Sequence, residues 1–174
     1  MPALVGLGAS LGNKSEITPM LRYRDGNCWI WPQDCRTEKP YEVNWKGKLG
    51  QSSDVTLTIA LTNFPESMKN KASTLGYPEV IFLAKKMGNA AISHPENGFE
   101  LKAELHSIFQ NIRDKYSVER VHLLICASNA ACIFVGQAFD LYQPELFVYD
   151  FDSNGMTPKL HITNKEGKVT LTLP

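Results

Sequence analysis

The sequence has no excess of charge of either sign. Its 174 residues include 18 lysines and arginines and 18 aspartates and glutamates, so the formal net charge is +0 at pH 7. Proteins that attract nucleic acid or anionic membranes through their overall field carry a surplus of basic residues. A phosphate-bearing ligand must therefore be held by a local group of residues, and we expect neither direct nucleic-acid binding nor a membrane partner.

Long apolar runs and closely paired cysteines are also lacking. No stretch approaches the roughly 20 apolar residues of a membrane-spanning helix, and the chain start lacks the charged and then apolar pattern of a secretory signal. The four cysteines, Cys28, Cys35, Cys126 and Cys132, have no C-x-x-C spacing, which argues against a structural zinc site. We therefore expect a cytoplasmic protein with reduced thiols.

The common catalytic motifs are missing as well. There is no H-E-x-x-H, no G-x-S-x-G and no Walker A sequence. Gly6, Gly8 and Gly12 look like a dinucleotide-binding loop, but they have one residue too many and no convincing strand before them, so we expect a flexible edge there. We expect a domain without a catalytic site of its own. The alternative is a small α/β hydrolase or transferase that uses Ser128, which requires a histidine within hydrogen-bond reach, with His161 as supplier.

The most informative stretch of the chain is Glu119–Asp152. Val121–Ala127 is an apolar run with one polar insertion, which is typical of a strand covered on both faces. Ser128 follows it and offers a hydroxyl that can cap a helix, and Leu146–Phe151 is a second strand. The pattern predicts a right-handed crossover between two parallel strands.

Further elements surround this crossover. Alternating or apolar patterns predict strands at Cys28–Trp31, Tyr41–Trp45, Asp54–Thr62 and Val80–Ala84, and a closing hairpin of Lys159–Thr163 and Lys168–Leu173. Helices are expected over residues 65–75, capped near Asn63, and over 97–116, where Asn97 and Glu100 fit a capping box. The sum is an α/β domain of three layers with a mixed sheet and a C-terminal β-hairpin. A polar, glycine-containing loop near residue 50 divides residues 1–50 from residues 51–174.

Polar side chains follow four of the predicted strands. These are Thr62 and Asn63, Lys85 and Lys86, Ser128 and Asn129, and Asp152 and Ser153. Because the carboxyl ends of parallel strands meet at one edge of a sheet, we expect these groups to lie together. The free N–H groups of the helix after Ser128 would suit a phosphate there.

The N-terminal segment is rich in aromatic residues. Trp29, Trp31 and Trp45 are interleaved with basic residues, among them Arg24 and Lys39. Two interpretations stay open. The tryptophans fill a small core, or they form a platform on which a nucleobase stacks while the basic groups hold phosphate.

The stretch Glu119–Asp152 also resembles a known family. HLLICA, SNAA, ACIFVGQAF and FVYDF are similar to the second half of SAVED domains, the CARF-related sensor modules of CBASS and some CRISPR antiphage systems. DVTLTIALT resembles another strand of that family, with Ala60 where serine is common, and the upstream W-x-W-P…W segment looks like part of the first CARF-like half. By size, the HNH–SAVED nucleases are the most similar members.

The resemblance implies a Rossmann-like (CARF-like) fold and a function as a sensor. The ligand would be a cyclic di- or trinucleotide made by a partner cyclase, with no other cofactor. Binding would promote homo-oligomerisation and activate an effector that is fused in the full-length protein or acts in trans.

The resemblance also implies ligand-binding positions. By position, they are Thr62, Asn63, Lys85, Lys86, Ser128, Asn129 and Ala130, with Trp29, Trp31 and Trp45 as base-stacking groups. A third functional class remains beside sensor and enzyme. In it, the chain is a protein–protein interaction module that uses the C-terminal hairpin as an open sheet edge.

Overall fold

A computed structural model describes residues 1–12, 17–23, 28–31, 35–88, 91–153 and 155–174. Four helices lie in these ranges: α1 (Pro2–Leu11), α2 (Glu66–Leu75), α3 (Pro95–Tyr116) and α4 (Asn129–Gln137). The strands are β1 (Arg22–Tyr23), β2 (Cys28–Trp29), β3 (Tyr41–Lys46), β4 (Asp54–Ala60), β5 (Glu79–Ala84), β6 (Arg120–Cys126), β7 (Glu145–Asp152), β8 (Gly155–Lys165) and β9 (Lys168–Thr172). Arg24 lies outside the described residues. None of the helices in these ranges is long and apolar enough to cross a membrane.

The main sheet has seven strands in the order β3-β5-β4-β6-β7-β8-β9. Its four central strands, β5, β4, β6 and β7, are parallel. β3 adds to one side and the β8–β9 hairpin to the other, all antiparallel. The predicted α/β class, mixed sheet and C-terminal hairpin are therefore confirmed.

Helices pack on both faces of this sheet, as the alternation of side chains along each strand requires. On one face, Leu57 and Leu123 join Leu105 of α3 and Phe134 of α4 in the larger core. On the other face, Leu124 lies in a smaller cluster with Met68 of α2. Complete burial of each such side chain stabilises the fold by roughly 1.5–3 kcal/mol. The three layers leave the strand ends as the region where polar residues collect.

The expectation of a flexible chain start is wrong, because residues 2–11 form the helix α1. Its glycines allow a close crossing with α4. A Cβ on Gly8 would lie 2.2 Å from the carbonyl oxygen of Ile133, and one on Gly136 would lie 2.0 Å from that of Val5. Each glycine makes a helix less favourable than alanine would by about 1 kcal/mol. The local sequence of α1 therefore disfavours a helix, and the packing of α1 against α4 stabilises it instead.

Two predicted helix caps also differ from the structure. α3 starts at Pro95, and the ring nitrogen Nδ1 of His94 accepts from the N–H of Glu96 at 3.3 Å, so Asn97 lies inside the helix. Proline suits a first helical position because the N–H that it lacks would have no partner there. Asn63 does not cap α2, since its Oδ1 accepts from the N–H of Phe64 at 2.8 Å. The cap of α4 is confirmed, with Ser128 Oγ accepting from the N–H of Ala131 at 3.3 Å.

The close α1–α4 crossing predicts a large effect of one methyl group. We expect Gly136→Ala to lower the free energy of unfolding by about 1–3 kcal/mol, because backbone atoms of α1 must move away. Urea denaturation followed by circular dichroism measures this change. Gly6→Ala on α1 is the matched control, since its new Cβ meets only the methyl ends of Leu160 and Leu171, at 2.9 and 3.2 Å. Equal effects of the two substitutions would contradict the assignment.

Candidate ligand-binding site

The carboxyl ends of three neighbouring strands lie side by side at one edge of the sheet. Ala60, the last residue of β4, is opposite Leu83 of β5 and Cys126 of β6. The segments that leave these strands are Thr62–Asn63, Lys85–Lys86 and Ser128–Ala130, and together we call them the strand-end site. The parallel register thus brings together three of the four polar segments expected at this edge.

Hydrogen bonds between the segments fix this edge. The N–H groups of Leu61 and Thr62 both donate to the carbonyl oxygen of Cys126, at 2.9 and 3.1 Å. The N–H of Gly88 donates to the carbonyl oxygen of Leu61 at 3.1 Å. The chain after β4 is therefore tied to the end of β6 and to the loop after β5, which gives a ligand a preorganised floor.

The first turn of α4 supplies unpaired donors to the same edge. The first intrahelical bond runs from the N–H of Cys132 to the carbonyl oxygen of Ser128 at 3.0 Å, so Asn129 and Ala130 precede it. Their N–H groups have no intrahelical acceptor, and the positive end of the helix dipole adds to them. Asn129 is exposed and Ala130 is buried. This arrangement suits an anion.

A small basic pocket lies beside the end of β5. Its volume is about 80 Å³, and it is lined by Thr37, Glu38, Lys39, Pro40, Lys85, Lys86 and Ala91. The N–H of Lys85 donates to the carbonyl oxygen of Pro40 at 2.9 Å. The segment before β3 therefore forms one wall of the pocket, which sequence patterns alone did not indicate.

A buried asparagine holds that wall in place. The side chain of Asn97 in α3 accepts from the N–H of Thr37 at 3.1 Å and donates to its carbonyl oxygen at 2.8 Å. Ser93 Oγ lies 3.1 Å from the side-chain oxygen Oδ1 of Asn97. Tyr41 donates its hydroxyl to the Asn97 carbonyl oxygen at 2.8 Å, and burial, with Glu100 and Glu104, raises the pKa of this phenol so that it remains a donor. Hydrogen bonds from α3 therefore fix the segment before β3.

Of the three tryptophans, Trp45 lies away from the strand-end site. Trp31 is partly buried against the larger core. Trp45 lies on β3 opposite Val80 and is 43% exposed, with its ring 6.2 Å from that of Tyr116. Since β3 is antiparallel, this position is at the far end of the sheet from Lys85. Trp29 belongs to β2 and pairs with Arg22, and its side chain lies outside the described part of the structure.

The carboxylates of β7 have protein partners among the described residues. Asp152 binds the Lys159 ammonium and accepts from Thr157 Oγ1 at 2.8 Å. Asp150 Oδ1 accepts from the N–H of Phe151 at 2.9 Å. In the described ranges, no group of three or more histidine, cysteine, aspartate or glutamate side chains could hold a metal ion.

His161 is far from Ser128, so the hydrolase alternative does not obtain its base there. Its Nε2 lies 3.1 Å from Glu145 Oε2, and its ring stacks on Phe147 at 4.1 Å between centroids. Phe147 pairs with His122 on β6. The distance along the strand from His122 to Ser128 is roughly 20 Å at about 3.3 Å per residue. Ser128 itself is engaged as the cap of α4.

A second polar cluster occupies the opposite end of the parallel strands. Asp54 starts β4, and its carboxylate accepts from the Arg120 guanidinium at 2.7 Å. The other oxygen of this carboxylate lies 2.9 Å from Nε2 of His122. Nδ1 of the same histidine is 3.0 Å from the Tyr149 hydroxyl. The His122 ring also stacks between Tyr77 and Phe147, at 4.9 and 5.5 Å. Local sequence patterns could not find this cluster, because Asp54 and Arg120 meet only through the β4–β6 register.

A groove larger than the pocket beside β5 lies next to α2. Its volume is about 510 Å³, and Lys46, Phe64, Lys69, Ser73, Tyr77 and Glu79 are among its lining residues. Glu79 is engaged there, since Thr58 donates to it at 2.6 Å and the Lys46 ammonium is 4.0 Å away. This groove lies beside the sheet face, apart from the strand-end site.

The cluster at Asp54 predicts a specific pH dependence. Burial alone would raise the pKa of Asp54, but hydrogen bonds from Arg120 and His122 outweigh it and lower this pKa below its usual value. The stabilisation is therefore present above the ordinary aspartate pKa of about 3.9 and is lost as the pH falls through the folded-state pKa. We expect Asp54→Asn to be less stable than wild type at pH 7 and to lose less stability between about pH 5 and pH 3. Denaturant midpoints across this range measure both.

The control for that series is Glu42→Gln, which removes one exposed carboxylate on β3. If Asp54→Asn kept the wild-type decrease in stability toward acid, the cluster would not be the source of this pH dependence.

A family model described as the SMODS-associated and fused to various effectors sensor domain, SAVED, matches residues 1–162. None of the curated proteins compared with the chain matches it.

Among the solved structures with the same fold are Cap4 SAVED/CARF-domain containing receptors. The Acinetobacter baumannii receptor with the cyclic trinucleotide 3′3′3′-cAAA has a TM-score of 0.67 and 12% identity, over 93% of this chain and 35% of the receptor. Its structure with 2′3′3′-cAAA has a TM-score of 0.66, with the same identity and coverage. The Moraxella osloensis receptor has a TM-score of 0.59 and 13% identity, over 94% of this chain and 34% of the receptor. The chain spans about a third of the length of these receptors, and at this identity the likeness shows the fold alone.

Proposed function

The chain belongs to the SAVED family of sensor domains, and from this premise we propose that it binds a cyclic di- or trinucleotide at the strand-end site. The observation that carries the proposal is the meeting of Lys85–Lys86 with the first turn of α4 at one edge of the sheet. Phosphate groups suit this edge because it offers both ammonium groups and free backbone donors. The HNH–SAVED subtype stays a prediction.

The ligands of related receptors support the choice of ligand class. The Acinetobacter baumannii Cap4 receptor is described with two cyclic adenosine trinucleotides, 3′3′3′-cAAA and 2′3′3′-cAAA. We therefore propose a cyclic oligonucleotide for this chain and consider a trinucleotide first. A partner cyclase would make it.

Binding would use few groups and would break no bond. Thr62, Asn63, Ser128 and Asn129 provide hydroxyl and amide groups at the floor, and the lysines and helix N–H groups neutralise phosphates. Each base that stacks on an aromatic ring gains about 1–3 kcal/mol. Trp31 is our first candidate for this role, with Trp29 two residues before it in sequence, whereas Trp45 lies at the other end of the sheet.

We propose that the bound ligand acts by changing assembly. A ligand can shift an oligomerisation equilibrium only by its difference in affinity for the free and assembled states. Homo-oligomerisation would then activate an effector, fused in a longer protein or acting in trans, in the cytoplasm. Residues 1–50 and 51–174 would serve together as one sensor domain without catalytic activity, since β3 and α1 of the first part pack on the second part.

The alternative of a protein–protein interaction module has one observation in its favour. β9 is the last strand of the sheet, and Leu171 and Leu173 near that edge are 41% and 86% exposed. An open strand edge with exposed leucines can pair with another chain. The same surface would also suit assembly of a sensor. The interaction module therefore ranks second, after the sensor.

A panel of cyclic di- and trinucleotides, including both cAAA isomers, tests the proposed function. At a hundred times its dissociation constant, a ligand should add roughly 2.7 kcal/mol of stability. For a domain of this size, that is about 5–10 °C in melting temperature. We expect one member of the panel to give this shift, Lys85→Gln and Trp31→Phe to reduce it, and light scattering to show a rise in mass.

The control ligand is the linear trinucleotide of the same bases, which carries similar charge without the cyclic shape. If no cyclic member shifts the melting temperature of the folded protein, or if the linear control shifts it equally, the chain is not a cyclic-nucleotide sensor by itself.

A further inference from the structure

We propose that Lys39 is a third phosphate-binding lysine, which closes the pocket beside β5 around one phosphate group of the ligand. The three lysines Lys39, Lys85 and Lys86 line this pocket together. The inference rests on the proposed function for the source of the phosphate, a cyclic oligonucleotide. It adds a residue from a segment that lies outside the parallel strands.

The size of the pocket suits one phosphate group. Its volume is about 80 Å³, well below the roughly 300–1,000 Å³ of pockets that enclose a drug-sized ligand. A whole nucleoside therefore does not fit inside it. A phosphate can enter while the sugar and base stay outside, toward the strand-end site.

The ammonium groups of the pocket are available. In the described part of the chain, no ion pair includes Lys39, Lys85 or Lys86. Lys85 interacts electrostatically with Glu104 on α3. Burial and the neighbouring Glu100 raise the pKa of Glu104, whereas Lys85 acts in the opposite direction. Among the described lining residues, Glu38 is the one carboxylate beside three lysines, so these residues have two more positive than negative groups.

The backbone at Lys39 is the second, independent observation. Lys39 has φ 45, a left-handed conformation that residues with a side chain rarely adopt and that glycine adopts freely. Pro40 follows it and restricts its conformation further. The side chain is exposed, so no packing accounts for a lysine at this position.

Contacts outside the segment maintain this strained conformation. Asn97 binds both backbone groups of Thr37, and the Pro40 carbonyl oxygen accepts from the N–H of Lys85. Backbone strain that the surrounding structure imposes is commonly found at ligand sites. The Lys39 side chain lines the same pocket as Lys85 and Lys86.

Substitution of Lys39 by glycine separates a binding role from a structural role. Lys39→Gly should melt at the wild-type temperature or higher, since glycine relieves the strain. It should bind 3′3′3′-cAAA about tenfold more weakly by calorimetry, the effect of one lost charge-assisted hydrogen bond. Lys39→Gln should bind as weakly, and Glu38→Gln should bind more tightly. Lys168→Gln, an exposed lysine on the hairpin, is the control for net charge.

Inorganic triphosphate is the second probe, and it carries phosphates without bases. Nuclear magnetic resonance of protein with ¹³C-labelled lysine should show shifts at Lys39, Lys85 and Lys86 on its addition, and none at Lys168. Substitution of each lysine assigns its signal.

The two probes distinguish failure of this inference from failure of the proposed function. If wild type binds cAAA and Lys39→Gly binds it equally, the role of Lys39 is disproved while the sensor function stands. If cAAA does not bind but triphosphate shifts the three lysines, the pocket is supported and the cyclic trinucleotide assignment fails. If triphosphate affects Lys39 no more than Lys168, the pocket is overturned.

Discussion

The strand-end site depends on the in-register ending of three parallel strands. β4, β5 and β6 stop at neighbouring positions, and the carbonyl oxygen of Cys126 accepts two N–H groups from the chain that leaves β4. Without this shared end, the lysines after β5 and the first turn of α4 would have no fixed relation. Backbone hydrogen bonds hold this edge together, and they leave the lysine side chains after β5 uncommitted.

The two ends of the sheet differ in whether their charged groups already have partners. At the amino end, Asp54, Arg120, His122 and Tyr149 satisfy one another through hydrogen bonds, and the aromatic stack covers them. At the carboxyl end, Lys85 and Lys86 are exposed and lie in no ion pair of the described part. A polar group that already has its partners contributes to the fold, whereas one without them is suited to bind.

The sequence predicted the elements that local periodicity and helix capping determine. It did not predict the features that long-range contacts determine. The α4 cap at Ser128 and the buried strand before it have local signals, and the structure confirms them. The helix α1 was missed because its glycines lower local preference and only the contact with α4 explains them. The direction of β3, which carries Trp45 away from Lys85, has no local signal at all. The same holds for Asn97, whose partner Thr37 lies far back in sequence.

The contact between α1 and α4 has a consequence for synthesis on the ribosome. α1 emerges before its partner α4, which follows about 120 residues later, and at about 5–20 residues per second this takes roughly 6–24 s. During that time Val5 and Ala9, both buried in the finished fold, lie in a nascent chain that cannot yet cover them. Completion of the fold must wait for α4, whose first turn belongs to the strand-end site. Nascent chains of this protein are thus candidates for chaperone binding until that helix has left the exit tunnel.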